Sequence, residues 1–214
     1  MKVLVLSVLL ALIARSAVIS ADPSYVTDTF GTPEGAITIT FIGHGTLMLT
    51  VGEKVIHVDP WSDLADYSGL PDADLVLITH EHRDHLDAEA VDRVRKDRTV
   101  ILANPAAASA IEGARALENG QGYSAAGLSV QAVPAYNIVH KRPDGSPYHP
   151  RGNGNGYILE FGGKRIYIAG DTENTPEMKE LEDVDVAFLP MNLPYTMTPD
   201  MVADAARALR PRVL

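Results

Sequence analysis

Positions 80 to 85 read His80-Glu81-His82-Arg83-Asp84-His85 and hold three of the chain's seven histidines together with an aspartate. The run directly before them, Asp74-Leu75-Val76-Leu77-Ile78-Thr79, is apolar at its core without alternation, the pattern of a strand covered on both faces. Together they restrict the fold to one in which a buried strand ends at a polar site. In an extended stretch His80 and His82 project to the same side and can grip one metal ion. A turn at Arg83 lets Asp84 and His85 face a neighbouring position and hold a second. The spacing is not the His-x-x-x-His of a helical zinc site, where positions i and i+4 share a helix face. The chain has no cysteine. Thiolate ligands, disulfides and cysteine nucleophiles are therefore excluded, and any metal is held by nitrogen and oxygen. The rival reading is a polar loop whose histidines are incidental.

Around this cluster, short strands come first and then strands alternate with helices. Residues 36–42, 46–51 and 54–58 are short runs, largely apolar or β-branched, separated by Gly43-His44-Gly45 and Gly52-Glu53, which read as turns. Asp87 is placed to cap a helix over 88–96. Residues 99–103 read as a strand, and 105–117 as a helix with Pro105 in its first turn. Further strands are expected at 128–133, 157–161, 165–169 and 184–189, and Thr198-Pro199 opens a last helix through 209. Residues 136–155 are polar and rich in Gly and Pro, and a loop of that length in a compact domain is usually functional or mobile. Within it, Gly152-Asn153-Gly154-Asn155-Gly156 lacks the Lys-Ser/Thr of a phosphate loop and reads as a mobile turn. The order predicts a layered α/β domain over 36–214, preceded by a loose segment at 22–35.

A chain of 214 residues suffices for one domain that buries about 70% of its unfolded surface. The net charge of −10 repels phosphate backbones at long range, so general nucleic-acid binding is not expected. A bound cation can still dominate a pocket that takes an anionic substrate. At the N-terminus, Met1-Lys2 precedes an apolar run over 3–14 interrupted only by Ser7, and small residues lead to Ser20-Ala21 before Asp22-Pro23. That run is shorter than the roughly 20 residues of a bilayer span and matches the core of a signal peptide over 1–21. Arg15 and Ile19 make the cleavage region imperfect, which leaves a retained anchor as the alternative. The expected mature chain is exported, periplasmic or extracellular, and has no transmembrane span.

His80-x-His82-x-Asp84-His85 after an apolar strand resembles the signature of the metallo-β-lactamase superfamily, and the resemblance covers nearly the whole mature chain. Ile42-Gly43-His44-Gly45-Thr46 and Val58-Asp59-Pro60 are similar to the early strands of the branch that includes ascorbate-6-phosphate lactonases and N-acyl-phosphatidylethanolamine phospholipases. Ile168-Ala169-Gly170-Asp171-Thr172 is similar to the family's Gly-Asp-Thr element. The resemblance implies an α/β fold, the four-layer αββα sandwich, with the site at one edge. It implies that His80 and His82 bind a first metal, that Asp84 and His85 bind a second, and that Asp171 bridges them. The family often places a third histidine soon after a strand ending in Pro-Ala, where this chain reads Pro134-Ala135-Tyr136-Asn137. His149 is preferred for that role, because His149-Pro150-Arg151-Gly152 before Gly156-Tyr157-Ile158 resembles a subgroup with its histidine there; His140 is the alternative. His44 sits in a turn that the family brings near the metals, although a surface turn histidine is an equal reading. His57, within a strand, reads as a satisfied core histidine, and Asp59 as a residue that orients a metal ligand.

The implied function is hydrolysis of an ester, lactone or phosphodiester by a metal-bound hydroxide, on a small-molecule or lipid-like substrate. Zn²⁺ is the expected ion, two in the complete protein, with Mn²⁺ or Fe²⁺ as alternatives; Asp84 and Asp171 would position the hydroxide. No Gly-x-Ser-x-Gly element is present. β-Lactams are less favoured as substrates, since the similarity lies with the lactonase and phospholipase branch. The di-iron oxygen and NO reductases of the same fold carry Glu where this chain has His82. In the family a further strand after the last helix brings a final histidine to the second metal, whereas here Arg210-Pro211-Arg212-Val213-Leu214 follows. A C-terminally truncated sandwich is therefore expected, and a metal-binding protein without turnover is the second reading.

Overall fold

The computed structural model describes residues 25–214, so the signal peptide expected at 1–21 lies outside the described residues. The first sheet has seven strands in chain order. β1 (Val26–Thr32), β2 (Gly35–Gly43), β3 (Thr46–Val51) and β4 (Lys54–Val58) form an antiparallel meander. β5 (Ala73–Ile78), β6 (Arg95–Ala103) and β7 (Arg115–Ala116) extend it in parallel, with α1 (Ala88–Val94) and α2 (Pro105–Ala108) in the crossovers. In the second sheet, β8 (Gly122–Ala125), β9 (Leu128–Ala135), β10 (Gly154–Phe161) and β11 (Lys164–Ile168) are antiparallel. β12 (Val186–Phe188) joins β11 in parallel, α3 (Pro176–Lys179) connects the two, and α4 (Pro199–Leu209) follows.

The period-2 alternation of strand side chains sorts the apolar residues into three cores. Leu75, Leu77 and Leu102 meet Tyr157, Leu159 and Ile166 between the sheets. Their neighbours Val76, Ile78 and Ile101 point the other way, under Ala90, Val91 and Val94 of α1. On the far side, Ile158 and Tyr167 pack against Met178, Ala205 and Leu209 of α3 and α4. Three cores separate four layers, the expected αββα sandwich. Central strands covered on both faces explain why β5 reads as an unbroken apolar run.

Several local expectations are corrected. Residues 22–35 are not all loose: β1 pairs with β2 over its full length, although most of its side chains are exposed. Its order comes from backbone pairing and from Phe30 on the inter-sheet core, neither of which the apolar pattern displays. The helix expected over 105–117 stops at Ala108. Gly113 there adopts φ +76°, and Leu117 N donates to Ala103 O at 2.8 Å, so the chain returns to extend the sheet. Alanine favours a helix, but an alanine-rich helix has little apolar surface to bury, and tertiary pairing prevails. Of the run at 152–156, Gly152 and Asn153 lie in a turn, but Gly154, Asn155 and Gly156 belong to β10. Asn155 is fully buried, and a Cβ at Gly154 or Gly156 would stand 2.8 Å from Ala135 O or Ala169 O, so these glycines permit close strand approach. Among the described residues no helix is long and apolar enough to cross a membrane.

Candidate metal centre

The C-terminal ends of five strands meet at one edge of the sandwich. His44 follows β2, Asp59 follows β4, residues 79–85 follow β5, Asn137 follows β9, and Asp171 follows β11. Two bonds stitch the sheets together here: Asn155 N donates to Thr79 O at 2.9 Å, and the Tyr157 hydroxyl donates to Ile78 O at 2.7 Å. His85 N and Leu86 N both donate to His82 O, which makes the turn that separates His80 and His82 from Asp84 and His85.

Asp59 organises the inner side. Its Oδ1 accepts from Thr79 N at 2.7 Å, and its Oδ2 accepts from the Thr79 hydroxyl at 2.6 Å and from His85 Nδ1 at 2.7 Å. The Thr79 hydroxyl has thus committed its proton, so at 2.9 Å it accepts from His80 Nδ1. His149 Nδ1 donates to Asn137 Oδ1 at 2.8 Å. All three rings spend their Nδ1–H on a neighbour and turn Nε2 inward, the arrangement by which outer partners orient metal-binding imidazoles.

Two groups result. His80 Nε2 lies 3.0 Å and His149 Nε2 3.2 Å from His82 Nδ1. Nitrogens bound tetrahedrally to one zinc ion at about 2.0–2.1 Å stand about 3.3 Å apart, so this triad fits a metal ion. Beside it, His85 Nε2 is buried with no hydrogen-bond partner, 3.7 Å from Asp171 Oδ1 and 3.8 Å from Asp84 Oδ2. His44 Nε2 adds to this group at 3.0 Å from Asp84 Oδ2. Asp171 faces both groups, since its other oxygen is 3.4 Å from His149 Nε2. An orphaned buried nitrogen among carboxylates is the environment that a second cation satisfies.

The electrostatics agree with the geometry. Burial, together with the neighbouring imidazoles, pushes His80 well below its ordinary value and His149 down to about 4. Burial alone would lower His85, but Asp59, Asp171 and Asp84 outweigh it and raise the ring to about 9. Burial raises the Asp171 carboxyl, with Asp59 and Asp84 adding to the shift and His85 and His44 opposing it.

The structure thus brings together all six residues singled out from the sequence, namely His80, His82, Asp84, His85, His149 and Asp171. Of the two candidates for the third histidine, His149 joins the triad, while His140 turns its Nδ1 to Glu173 at 2.7 Å. His57 is fully buried against Tyr67 with its Nε2 on Pro71 O and its Nδ1 without a partner, a core histidine as expected but only half satisfied. Thr79 and Asn137 were not singled out as orienting residues. The signal for Thr79 was adjacency to His80. Asn137 occupies the place where the family often puts its histidine, and its role depends on a contact twelve residues away.

A family model for the beta-lactamase superfamily domain matches residues 38–214. A UPF0173 metal-dependent hydrolase of Thermococcus onnurineus is 31% identical over 199 residues, covering 82% of this chain and 81% of that protein. One from Deinococcus radiodurans is 34% identical over 190 residues, covering 82% and 81%. Among solved structures, one from Parabacteroides distasonis, whose name places it with the metal-dependent hydrolases, is 49% identical with a TM-score of 0.84, covering 88% of this chain and 86% of that one. Igni18, a metallo hydrolase of Ignicoccus hospitalis, is 28% identical with a TM-score of 0.66, covering 83% and 80%. With its four layers, its clustered histidines and aspartates and these relatives, the chain belongs to the metallo-β-lactamase superfamily and, within it, to the UPF0173 metal-dependent hydrolases.

Proposed function

We propose that this protein hydrolyses an ester or lactone with two divalent ions, zinc foremost. His80, His82 and His149 would hold the first, Asp84 and His85 would hold the second, and Asp171 would serve both. The observation that carries the reading is the convergence of three ring nitrogens on one point, beside a carboxylate that also faces the orphaned His85 Nε2. Ions bound there would supply Lewis acidity and a hydroxide nucleophile at neutral pH. The chain's own residues do the rest. Asp171 and Asp84 flank the reacting position and accept hydrogen bonds from water. His44, part-exposed beside Asp84, is the imidazole placed to contact substrate.

The surroundings favour an uncharged substrate with an apolar portion. A cavity of about 530 Å³ runs from His44, His85 and Asp171 to Phe30, Phe41 and Phe188. Its lining, among the described residues, includes Asp28 and no lysine or arginine, so a phosphodiester would have only the metal ions to meet its charge. A small-molecule or lipid-like ester or lactone suits such a wall better. The test is a panel of acyl esters, lactones and phosphodiesters assayed with metal-loaded and metal-stripped protein. Ester or lactone turnover is expected, abolished by chelation and restored by Zn²⁺ or Mn²⁺. Full turnover by stripped protein would end the metal-hydrolase reading, phosphodiester preference would reverse the substrate assignment, and metal binding without turnover would leave a silent binder.

A further inference from the structure

We infer that Glu173 is a positioning residue for the three-histidine group, acting through Asn137 on His149; this deepens the metal-binding reading and rests on it. The Glu173 side chain is wholly buried. Its Oε2 accepts from Ile138 N and Val139 N, both at 2.7 Å. Its Oε1 accepts from His140 N and His140 Nδ1 at 2.7 Å and from Asn137 Nδ2 at 3.1 Å. Consecutive amide N–H groups curled around one anion form a nest, and charge-assisted bonds of this kind are about twice as strong as neutral ones. A carboxylate therefore sets the conformation of residues 137–140, the segment that precedes the loop bearing His149.

The link to the metal group is Asn137. Its Nδ2 also donates to Tyr195 O at 2.8 Å. Held by these two acceptors, the amide keeps its oxygen toward His149, where it accepts from His149 N at 2.7 Å and Nδ1 at 2.8 Å. That fixes the proton on Nδ1 and leaves Nε2 bare toward His82. An amide free to turn over would present N–H to Nδ1 and favour the tautomer whose Nε2–H blocks metal. Glu173 lies two residues beyond Asp171, and its own N donates to Tyr136 O at 3.0 Å, so one short segment frames both groups.

The test uses Glu173→Gln, which keeps the shape but sets an NH₂ against N–H donors. Co²⁺ titration of wild-type protein, read by its absorption spectrum and by zinc competition, comes first. Absence of binding there, or a tight binding phase that survives His82→Ala, defeats the metal reading itself. Given wild-type binding, Glu173→Gln is expected to weaken the triad about 10–100-fold and to alter the Co²⁺ spectrum. Asn137→Ala is expected to do the same, and the double variant to lose no more than Asn137→Ala alone. A purely structural glutamate would lower the melting temperature while leaving affinity and spectrum as in wild type. That result, or strictly additive losses, overturns the inference. Should Glu173→Gln not fold, Glu173→Asp takes its place in the same cycle, and unchanged cobalt binding by Asn137→Ala is alone enough to overturn it.

Discussion

His82 offers Nδ1 where His80 and His149 offer Nε2, so the triad combines two different side-chain reaches. Zinc titration should therefore show two unequal sites. The triad is the tighter, because its rings are held from behind by Thr79 and Asn137, whereas Asp84 is the more exposed ligand. His82→Ala and His149→Ala should abolish the tight phase, Asp84→Ala should remove the weaker one, and His140→Ala should leave the tight phase in place. Loss of that phase in His140→Ala with normal metal in His149→Ala would reverse the assignment. His57 tests burial apart from metal. Desolvation holds it at about 4, against 6.5 for a free imidazole, despite its bond to Pro71 O. The unfolded chain therefore takes up the proton first as pH falls. The neutral ring's contribution is complete above pH 6.5 and is lost progressively as pH falls from there toward about 4, about 3 kcal/mol in all. Urea unfolding of wild type and His57→Gln across pH 4 to 7.5 should show a steeper loss of stability with falling pH in wild type, since His80 and His149 act in both proteins; parallel curves would refute it.

At the level of elements, the site is built from strand ends that are bent away from ordinary geometry. His44 and Asp59 both adopt left-handed φ values, +50° and +44°, uncommon for residues with a Cβ. Gly45 lacks one because a Cβ would stand 2.9 Å from His85 Cε1. The second sheet is as closely fitted, for a Cβ on Gly156 would meet Ala169 O at 2.8 Å and Ile168 O at 3.0 Å. Backbone atoms in a sheet cannot step aside, so Gly156→Ala should cost about 1–3 kcal/mol, the usual range for overpacking. Gly31→Ala in β1 is the control, since nothing lies within 4 Å of its added methyl, and it should change stability by no more than about 0.5 kcal/mol. Denaturant midpoints compare the two directly, and equal effects would contradict the packing described here.

On the scale of the whole molecule, two sheets share one core while helices close the outer faces, and the centre occupies the edge where five strand ends converge. Residues 1–21 have the charged start, short apolar core and small-residue end of a secretion signal, and we propose that the protein is exported. Expression of the full chain in a bacterial host, followed by fractionation and N-terminal sequencing, should yield a periplasmic form beginning at Asp22. A membrane-bound form that retains Met1 would instead establish an anchor.

The sequence by itself determined the parts whose causes are local. The unbroken apolar run of β5 announced a strand buried on both faces. The spacing of His80, His82, Asp84 and His85 announced the candidate metal-binding cluster, and Asp87 and Thr198 announced helix starts that the structure caps at those residues. Tertiary structure decided what depends on contacts distant along the chain. His149 reaches His82 across 67 positions; the residues after it favoured it over His140 only by resemblance, and the contact itself is made by the folded chain. The same holds for β1, ordered by pairing with its neighbour, and for residues 109–117, whose helical composition yields to the sheet. Periodicity reports what a segment can bury; which partner it buries against, and which nitrogen it turns toward a metal, is settled only when the layers close.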